Sequence, residues 1–417
     1  MYISFADRGG SPRRRGAGAT RVSSVVVTLG VVSLLTDISS ESVAAILPLY
    51  LTTVIGLSPI AYGVIDGLYQ GVSAIVRIFG GWAADRTERP KWVAVFGYGI
   101  SALARIGFLL ATGFSAIVAI VTVDRLGKGL RTAPRDAMIT AASVPENLGR
   151  SFGVHRMLDT VGAAVGPLLA FLILLVLPTG FTTVFVLSLG CALLGLVVLG
   201  LLVPGRTGAA VPPAVGTTPV RPAFSWRALA DPGLRRVLVV AGLCGLFTVG
   251  DGFVYLALQA RTDFAATWFP LLYVGTNVVF LALAIPLGRL ADRWGRARVF
   301  VAGHAALVAA YLCAAVPIGT LLPTLVCLVL LGVFYAATDG VLAALAAQFA
   351  PAGSTATGLA GAQTVVALAR FLASTVFGVL WYSVGSTVAL LGFAAALLLM
   401  LPVAAFLLRT RSSPGHR

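Results

Sequence analysis

Residues 121–138 read VTVDRLGKGLRTAPRDAM and carry six charged side chains: Asp124, Arg125, Lys128, Arg131, Arg135 and Asp136. They continue from the apolar run AIVAIV, in a chain of which only 11% is charged. A charge at the centre of a hydrocarbon layer costs about 2.5–3.5 kcal/mol on insertion scales, so Asp124, Arg125 and Lys128 facing lipid would cost on the order of 8–10 kcal/mol. They need water or partners. Arg125, Lys128, Arg131 and Arg135 are spaced 3, 3 and 4 apart, which sets them along one stripe of a helix. Val121, Val123 and Leu126 fall on the other faces. The stretch reads as the wet face of a helix lining a path, and the chemistry it offers is ion pairing and proton exchange.

The next apolar segment, SFGVHRMLDTVGAAVGP, brings Asp159 to a depth similar to that of Arg125, with His155 one turn earlier. Pairing of Asp159 with Arg125 or Lys128 is expected. Two readings stay open: a static pair that fixes packing, or a pair that breaks and re-forms with protonation or substrate. The first apolar run contains TDISSES, with Asp37 and Glu41 one turn apart on one face; Arg105, Asp251, Asp339 and Arg370 stand in other apolar runs. Ionisable residues in hydrocarbon are functional candidates by default. Drying a carboxylate favours its protonated form and a nearby arginine favours the ionised one. A site exposed alternately to two sides can therefore take up and release a proton. Asp37 and Glu41 are the first candidates for proton coupling and Asp159 the next. Arg105, Asp124, Arg125, Lys128, Arg131, His155, Asp251, Asp339 and Arg370 are expected around a substrate cavity. Asp66 and Arg77, nearer the ends of their helix, read as solvated or snorkelling, and His304 as packed or interfacial.

The elements that must position these groups follow from composition. Of 417 residues, 58% are hydrophobic and the mean hydropathy is +0.97, against about 45–50% apolar for ordinary soluble domains. Runs of about 20 apolar residues are what a helix needs to cross a bilayer. Spans are expected near residues 23–50, 59–84, 92–113, 115–136, 152–176, 181–203, 236–259, 268–288, 298–317, 322–347, 358–381 and 386–408. The net charge of +15 sorts by side. Basic residues fill the N-terminal tail (1–22), the second-to-third and eighth-to-ninth connections, the middle linker and the C-terminal tail (409–417), while Arg261 is the one basic residue assigned to the opposite connections. This is the positive-inside asymmetry, with both termini cytoplasmic in a multi-pass protein of the cell membrane. The basic excess is topology, and no nucleic-acid partner is expected. Residues 1–22 are polar and basic with no small-residue cleavage site, so no removable leader is expected.

Residues 204–235, PGRTGAAVPPAVGTTPVRPAFSWRALADPGLR, form a proline- and glycine-rich linker with a short surface helix expected near Trp226. It separates six spans (23–203) from six (236–408). The halves share a signature: GWAADRTERPK at 81–91 and GRLADRWGRAR at 288–298, matching at a constant offset of 207. Duplicated six-helix halves are a transporter plan with the substrate site near the midplane between them.

On these residues the chain resembles the major facilitator superfamily over essentially its whole length, with likeness to its twelve-helix proton-coupled drug antiporters. Both copies carry the family's loop motif. Arg125-Leu126-Gly127-Lys128-Gly129 resembles its fourth-helix motif, and Gly162, Gly166 and Pro167 match its fifth-helix antiporter motif, GxxxGP. The departures are Glu88, where the loop motif has the glycine that Gly295 supplies in the second copy, and Ala170 and Phe171, where paired glycines usually follow. The resemblance implies an all-α fold of twelve transmembrane helices in two pseudo-symmetric six-helix bundles. It implies a cytoplasmic latch between the halves from Asp85, Arg86, Arg89, Asp136, Asp292, Arg293 and Arg296; the alternative is that these are topology charges at helix ends. It also implies secondary active transport of a small molecule by alternating access, as proton-coupled efflux. The alternative is import of an anionic nutrient or metal chelate, which the deep basic residues of the first half would suit.

The aromatic residues Phe253, Tyr255, Tyr273, Phe334 and Tyr335 offer an apolar wall for substrate in a second half otherwise poor in charge. No GxxxxGK[ST] sequence occurs, so ATP is not the direct energy source. HExxH and GxSxG are absent and the cysteines Cys191, Cys244, Cys313 and Cys327 stand singly, so neither an enzyme nor a metal or cofactor site is expected. A monomer is expected, with protons, substrate and the lipid bilayer as its partners.

Overall fold

The computed structural model describes residues 22–87, 89–144, 147–205, 226–262, 264–316, 321–351 and 354–409. Both tails and most of the linker lie outside the described residues. The first half holds α1 (Ser24–Leu49), extended by a π-helical turn over Tyr50–Val54, then α2 (Pro59–Thr87), α3 (Pro90–Leu110), α4 (Phe114–Ala141), α5 (Leu148–Val176) and α6 (Phe181–Leu202). After the short α7 (Trp226–Leu229) come α8 (Pro232–Gly245), α9 (Asp251–Thr262), α10 (Phe269–Trp294), α11 (Arg296–Ala315), α12 (Leu321–Phe349) and α13 (Thr355–Leu407). Gly385 has φ 84° inside α13 and divides it into two arms, residues 355–384 and 386–407. Alternate crossings turn at a tail face, where α1 begins and α13 ends, and at a far face opposite.

Among the described residues, eight helical runs are long and apolar enough to cross a membrane by length and composition. The last contains both arms of α13. Helices α2 and α4 bring several charges with them, and α8 with α9 makes one broken crossing, so the described helices amount to twelve crossings. The expected seventh span, 236–259, is not continuous. LFTVG interrupts it at 246–250, because the Tyr311 hydroxyl accepts a bond from Val249 N (3.0 Å) and donates one to Phe247 O (3.2 Å). A side chain thus serves backbone groups that helical bonds would have served. Asp231 caps α8, accepting from Gly233 N at 2.8 Å and Leu234 N at 3.1 Å.

In lipid there is no hydrophobic drive between helices, so small residues that admit a neighbouring backbone hold them together. Helix α1 packs along α5, and a Cβ at Gly162 would lie 2.5 Å from Leu34 O, one at Gly166 2.8 Å from Ser42 N. On α4, a Cβ at Gly127 would meet Gly97 O of α3 at 2.6 Å, and one at Gly129 would meet Ser73 O of α2 at 2.9 Å. The glycines of RLGKG are therefore the contact surfaces between its basic residues. Across the halves, Gly63 and Gly67 of α2 lie against the first arm of α13, 2.5 Å from Ser374 O and 2.7 Å from Phe371 O on the same construction. That seam lies in the far-face part of both helices. Phe171 of α5 and Trp268, just before α10, meet there too, with ring centroids 5.4 Å apart. The second half is tied at its far face by Arg261 on α9, which donates to Val316 O at 2.8 Å and Thr387 Oγ1 at 3.0 Å.

Charge inside the first half is pooled. Asp124 bridges Arg105 of α3 (3.0 Å) and its neighbour Arg125, and all three are buried. Arg105 also donates to Ser39 Oγ at 3.3 Å, linking α3 to α1. Arg125 lies over the Tyr69 ring at 3.8 Å and Arg131 over the Tyr98 ring at 4.5 Å.

Asp124→Ala would strand two buried guanidiniums and should lower stability by about 3–5 kcal/mol, read as a fall in thermal midpoint of the purified protein in detergent. Gly162→Leu drives a side chain into the α1 backbone and should cost about 1–3 kcal/mol or more in the same assay, whereas Gly190→Leu, where a Cβ meets nothing within 4 Å, should leave the midpoint unchanged.

Candidate functional site

Between the halves lies a cavity of about 300 Å3, at the lower bound for small-molecule sites. From the first half it is lined by Glu41 of α1, Tyr62, Asp66, Tyr69 and Gln70 of α2, and Lys128 of α4. From the second half come Asp251 of α9, Tyr273, Asn277 and Phe280 of α10, and Tyr335 and Asp339 of α12. Four carboxyl groups thus face it with one ammonium, and that ammonium is engaged: Lys128 Nζ lies 3.7 Å from Glu41 Oε1. Asp251 accepts from the Tyr335 hydroxyl at 2.7 Å. Asp66 accepts from the Ser374 hydroxyl of α13 at 2.6 Å, a bond between the two halves. Asp339 is exposed to solvent.

One turn from Glu41 towards the tail face, Asp37 of α1 stands close enough to Asp159 of α5, on the helix packed along it, for each carboxyl group to act electrostatically on the other. Two carboxyl groups placed side by side disfavour ionisation of both at once. Their approach depends on the glycine seam between α1 and α5. Asp159 is also 3.7 Å from Arg135 and 3.2 Å from Arg156. Arg135 donates to Ser33 Oγ at 3.1 Å and pairs with Asp136 at 3.1 Å. Lys128 acts electrostatically on both Asp37 and Glu41. The carboxyl pair and the cavity are therefore joined along one face of α1. His155 is buried beside this cluster, and neither ring nitrogen has a hydrogen-bond partner among the described residues.

Several expectations need correction. Asp159 pairs with neither Arg125 nor Lys128. Arg125 turns towards Asp124 and Tyr69, Lys128 towards Glu41, and it is Arg135, nearer the tail face, that reaches Asp159. The basic stripe of α4 fans out: Arg125 and Arg131 are buried on rings of α2 and α3, and Lys128 alone among the six charges lines the cavity. Arg105, Asp124, Arg125, Arg131 and His155 are packed within the first half and do not line it. Arg370 lies behind the wall, its guanidinium 5.9 Å from the rings of Phe334 and Tyr335. Asp66, read as solvated or snorkelling, lines the cavity and ties the halves. Its signal was the spacing of Gly63, Gly67 and Gly71, which marks the helix face that meets a neighbour. Tyr62, Tyr69, Gln70 and Asn277 carried no comparable signal.

Tyr273 and Tyr335 stand in the cavity wall, whereas Phe253, Tyr255 and Phe334 are buried in the packing around it. His304 is buried, with Nδ1 2.9 Å from Phe300 O. Of the loop residues, Arg296 pairs with Asp292 at 3.2 Å inside its own half and donates to Ala344 O at 3.3 Å. Arg293 and Arg89 are exposed, and the side chains of Arg77, Asp85 and Arg86 lie outside the described residues.

The family model described as Major Facilitator Superfamily matches residues 29–374. An uncharacterized MFS-type transporter of Methanocaldococcus jannaschii is 29% identical over 369 residues, covering 86% of this chain and 89% of that one. A multidrug resistance protein, MdtH of Aeromonas hydrophila, is 30% identical over 235 residues, 55% of this chain and 56% of its own. Among solved structures, the nucleoside transporter NupG superposes with a TM-score of 0.77 at 13% identity, covering 93% of this chain and 100% of that chain. A bacterial homolog of the human lysosomal transporter Spinster, inward-facing and unoccupied, gives a TM-score of 0.77 at 16% identity, covering 95% and 100%. With a family model matched over most of its length and the fold of these transporters, the chain belongs to the Major Facilitator Superfamily, whose members carry small molecules across membranes.

Proposed function

We propose that this transporter is a proton-coupled antiporter that expels a small molecule bearing positive charge. In this reading it works as a monomer in the cell membrane, with its tail face in the cytoplasm. The observation that carries the reading is the Asp37–Asp159 carboxyl pair. In this reading the pair is the proton carrier, with Arg135 on one side and the Lys128–Glu41 pair of the cavity on the other. A cation arriving at Glu41 competes for that carboxylate with Lys128. The freed ammonium, already within the field of Asp37, favours the ionised form of the pair and so loss of its proton. Proton and substrate then exclude each other, which is what exchange requires.

The charge inventory supports efflux of a cation over uptake of an anion. The arginines that would have favoured an anion, Arg105, Arg125 and Arg131, are engaged by Asp124 and by the rings of Tyr69 and Tyr98 and do not line the cavity. The GxxxGP residues, the basic tails and the partial likeness to a multidrug resistance protein support the outward direction. The basic residues at the tail face support its cytoplasmic placement.

Everted vesicles with an acid interior and a fluorescent pH probe test this directly. Small aromatic ammonium compounds should discharge the gradient, whereas organic anions and metal chelates should not. Asp37→Asn and Asp159→Asn should each cut the discharge rate at least about tenfold, the scale of losing one positioned proton carrier. Unchanged gradient-driven transport after neutralising Asp37, Glu41 and Asp159 together would sink the proposal.

A further inference from the structure

Asp66 has two attachments that no other cavity carboxylate shares. It faces the cavity, and it holds the far-face ends of the two halves together through Ser374 at 2.6 Å. Around that bond the halves are closed by contact of backbone with side chain. A Cβ added to Gly250 would run into the Asp66 carboxylate, and one added to Gly252 into the Tyr62 hydroxyl and Pro48. Gly250 closes the break between α8 and α9 and Gly252 stands in the first turn of α9, so the interrupted crossing of the second half lies directly on α2 and α1 of the first.

Beyond this contact is a second cavity of about 260 Å3, lined by Thr52, Leu57, Phe253, Gln259 and Trp381 among others. Tyr62 lines both cavities, and its ring meets Phe253 at 4.6 Å. The two chambers stand end to end, and the partition between them is the far-face closure itself. The charged groups that act on Asp66 are Asp251 of α9, which lines the same cavity, and Arg370 of α13, which lies behind the cavity wall.

From this arrangement we propose that Asp66 is the bolt of the far-face gate, and that an ammonium group bound in the central cavity withdraws it. The hydroxyl of Ser374 donates to an ionised carboxylate, a bond roughly twice as strong as a neutral one. A cation drawn to Asp66 from the cavity side competes for the same oxygens and cancels the charge that makes the bond strong. With the bolt drawn, the remaining closure is glycine against backbone, tyrosine and proline together with the Phe171–Trp268 ring contact, with no ion pair among the described residues to break. The chamber between Thr52 and Trp381 is then the next compartment on the substrate's way out. Asp66 is here a positioning residue, acting on the gate through Ser374. The inference rests on the proposed efflux of a cation for its choice of ligand, and on the fold for the gate.

Two spin labels, at Val54→Cys on the far end of α1 and Ala260→Cys on the far end of α9, report the opening as a distance in a chain whose four native cysteines have been replaced. Asp66→Asn and Ser374→Ala should each raise the population of the longer distance about tenfold, as expected for loss of one charge-assisted hydrogen bond. The double variant should gain no more than either single one, because the two act through one bond. Gly250→Ala, which leaves both bonding partners in place, should shift the population the same way. Phenyltrimethylammonium should lengthen the distance in the parent chain and have no effect in Asp66→Asn. Distances unmoved by the substitutions, additive effects in the double variant, or a cation that moves both chains equally or neither would each overturn the assignment. The vesicle assay on the same chains separates the two ideas, since a gate that responds as described in a protein that exchanges no protons keeps the bolt and removes the coupling.

Discussion

Hydrocarbon does not tolerate a lone charge, and this constraint decides where every ionisable group of the chain can stand. The first half answers by pooling. Asp124 takes two arginines at once, Tyr69 and Tyr98 take the flat faces of Arg125 and Arg131, and Asp159 takes Arg135 and Arg156 together with the carboxyl of Asp37. The groups left facing the interior are then mostly acids. A sequence with twice as many basic as acidic residues thereby encloses an acidic cavity, because its bases lie mainly at the tail face or are consumed in packing.

Pooling requires helices to approach until backbones touch, and the glycines set where that happens. Gly162 and Gly166 bring α1 onto α5, and it is that close approach that sets Asp37 beside Asp159. Gly127 and Gly129 bring α4 onto α3 and α2, which turns Arg125 inward to Tyr69 and leaves Lys128 to the cavity. Gly63 and Gly67 bring α2 onto the first arm of α13 and put Asp66 within reach of Ser374. The chemistry of the site is in this sense a by-product of three backbone seams.

This division explains what the sequence made legible. Twelve crossings, two halves and the family resemblance follow from long apolar runs, a duplicated loop and the sidedness of arginine, all one-dimensional signals. Asp37, Glu41 and Asp159 stood out because a carboxylate in an apolar run is conspicuous wherever it points. Pairing was not legible. Asp159 and Arg125 have similar depths, but depth is one coordinate, and the azimuth of Arg125 is fixed by Gly127 meeting Gly97. Asp66 was misjudged for the same reason: its position along the helix suggested solvent, and its direction, set by the α2–α13 seam, gave it a partner 308 residues away. The break in the seventh crossing was hidden because the group that compensates it, the Tyr311 hydroxyl, sits on another helix.

Arg261 gives the second half a mechanical character. By holding the end of α9, the end of α11 and the start of the last crossing in one set of hydrogen bonds, it clips three otherwise separate rods at the rim. Rods clipped at one end cannot splay individually. A displacement of α9 at the far face is therefore carried by α11 and the last crossing as well. In the gate proposed above, the clip makes a change at one carboxylate the business of three crossings at once.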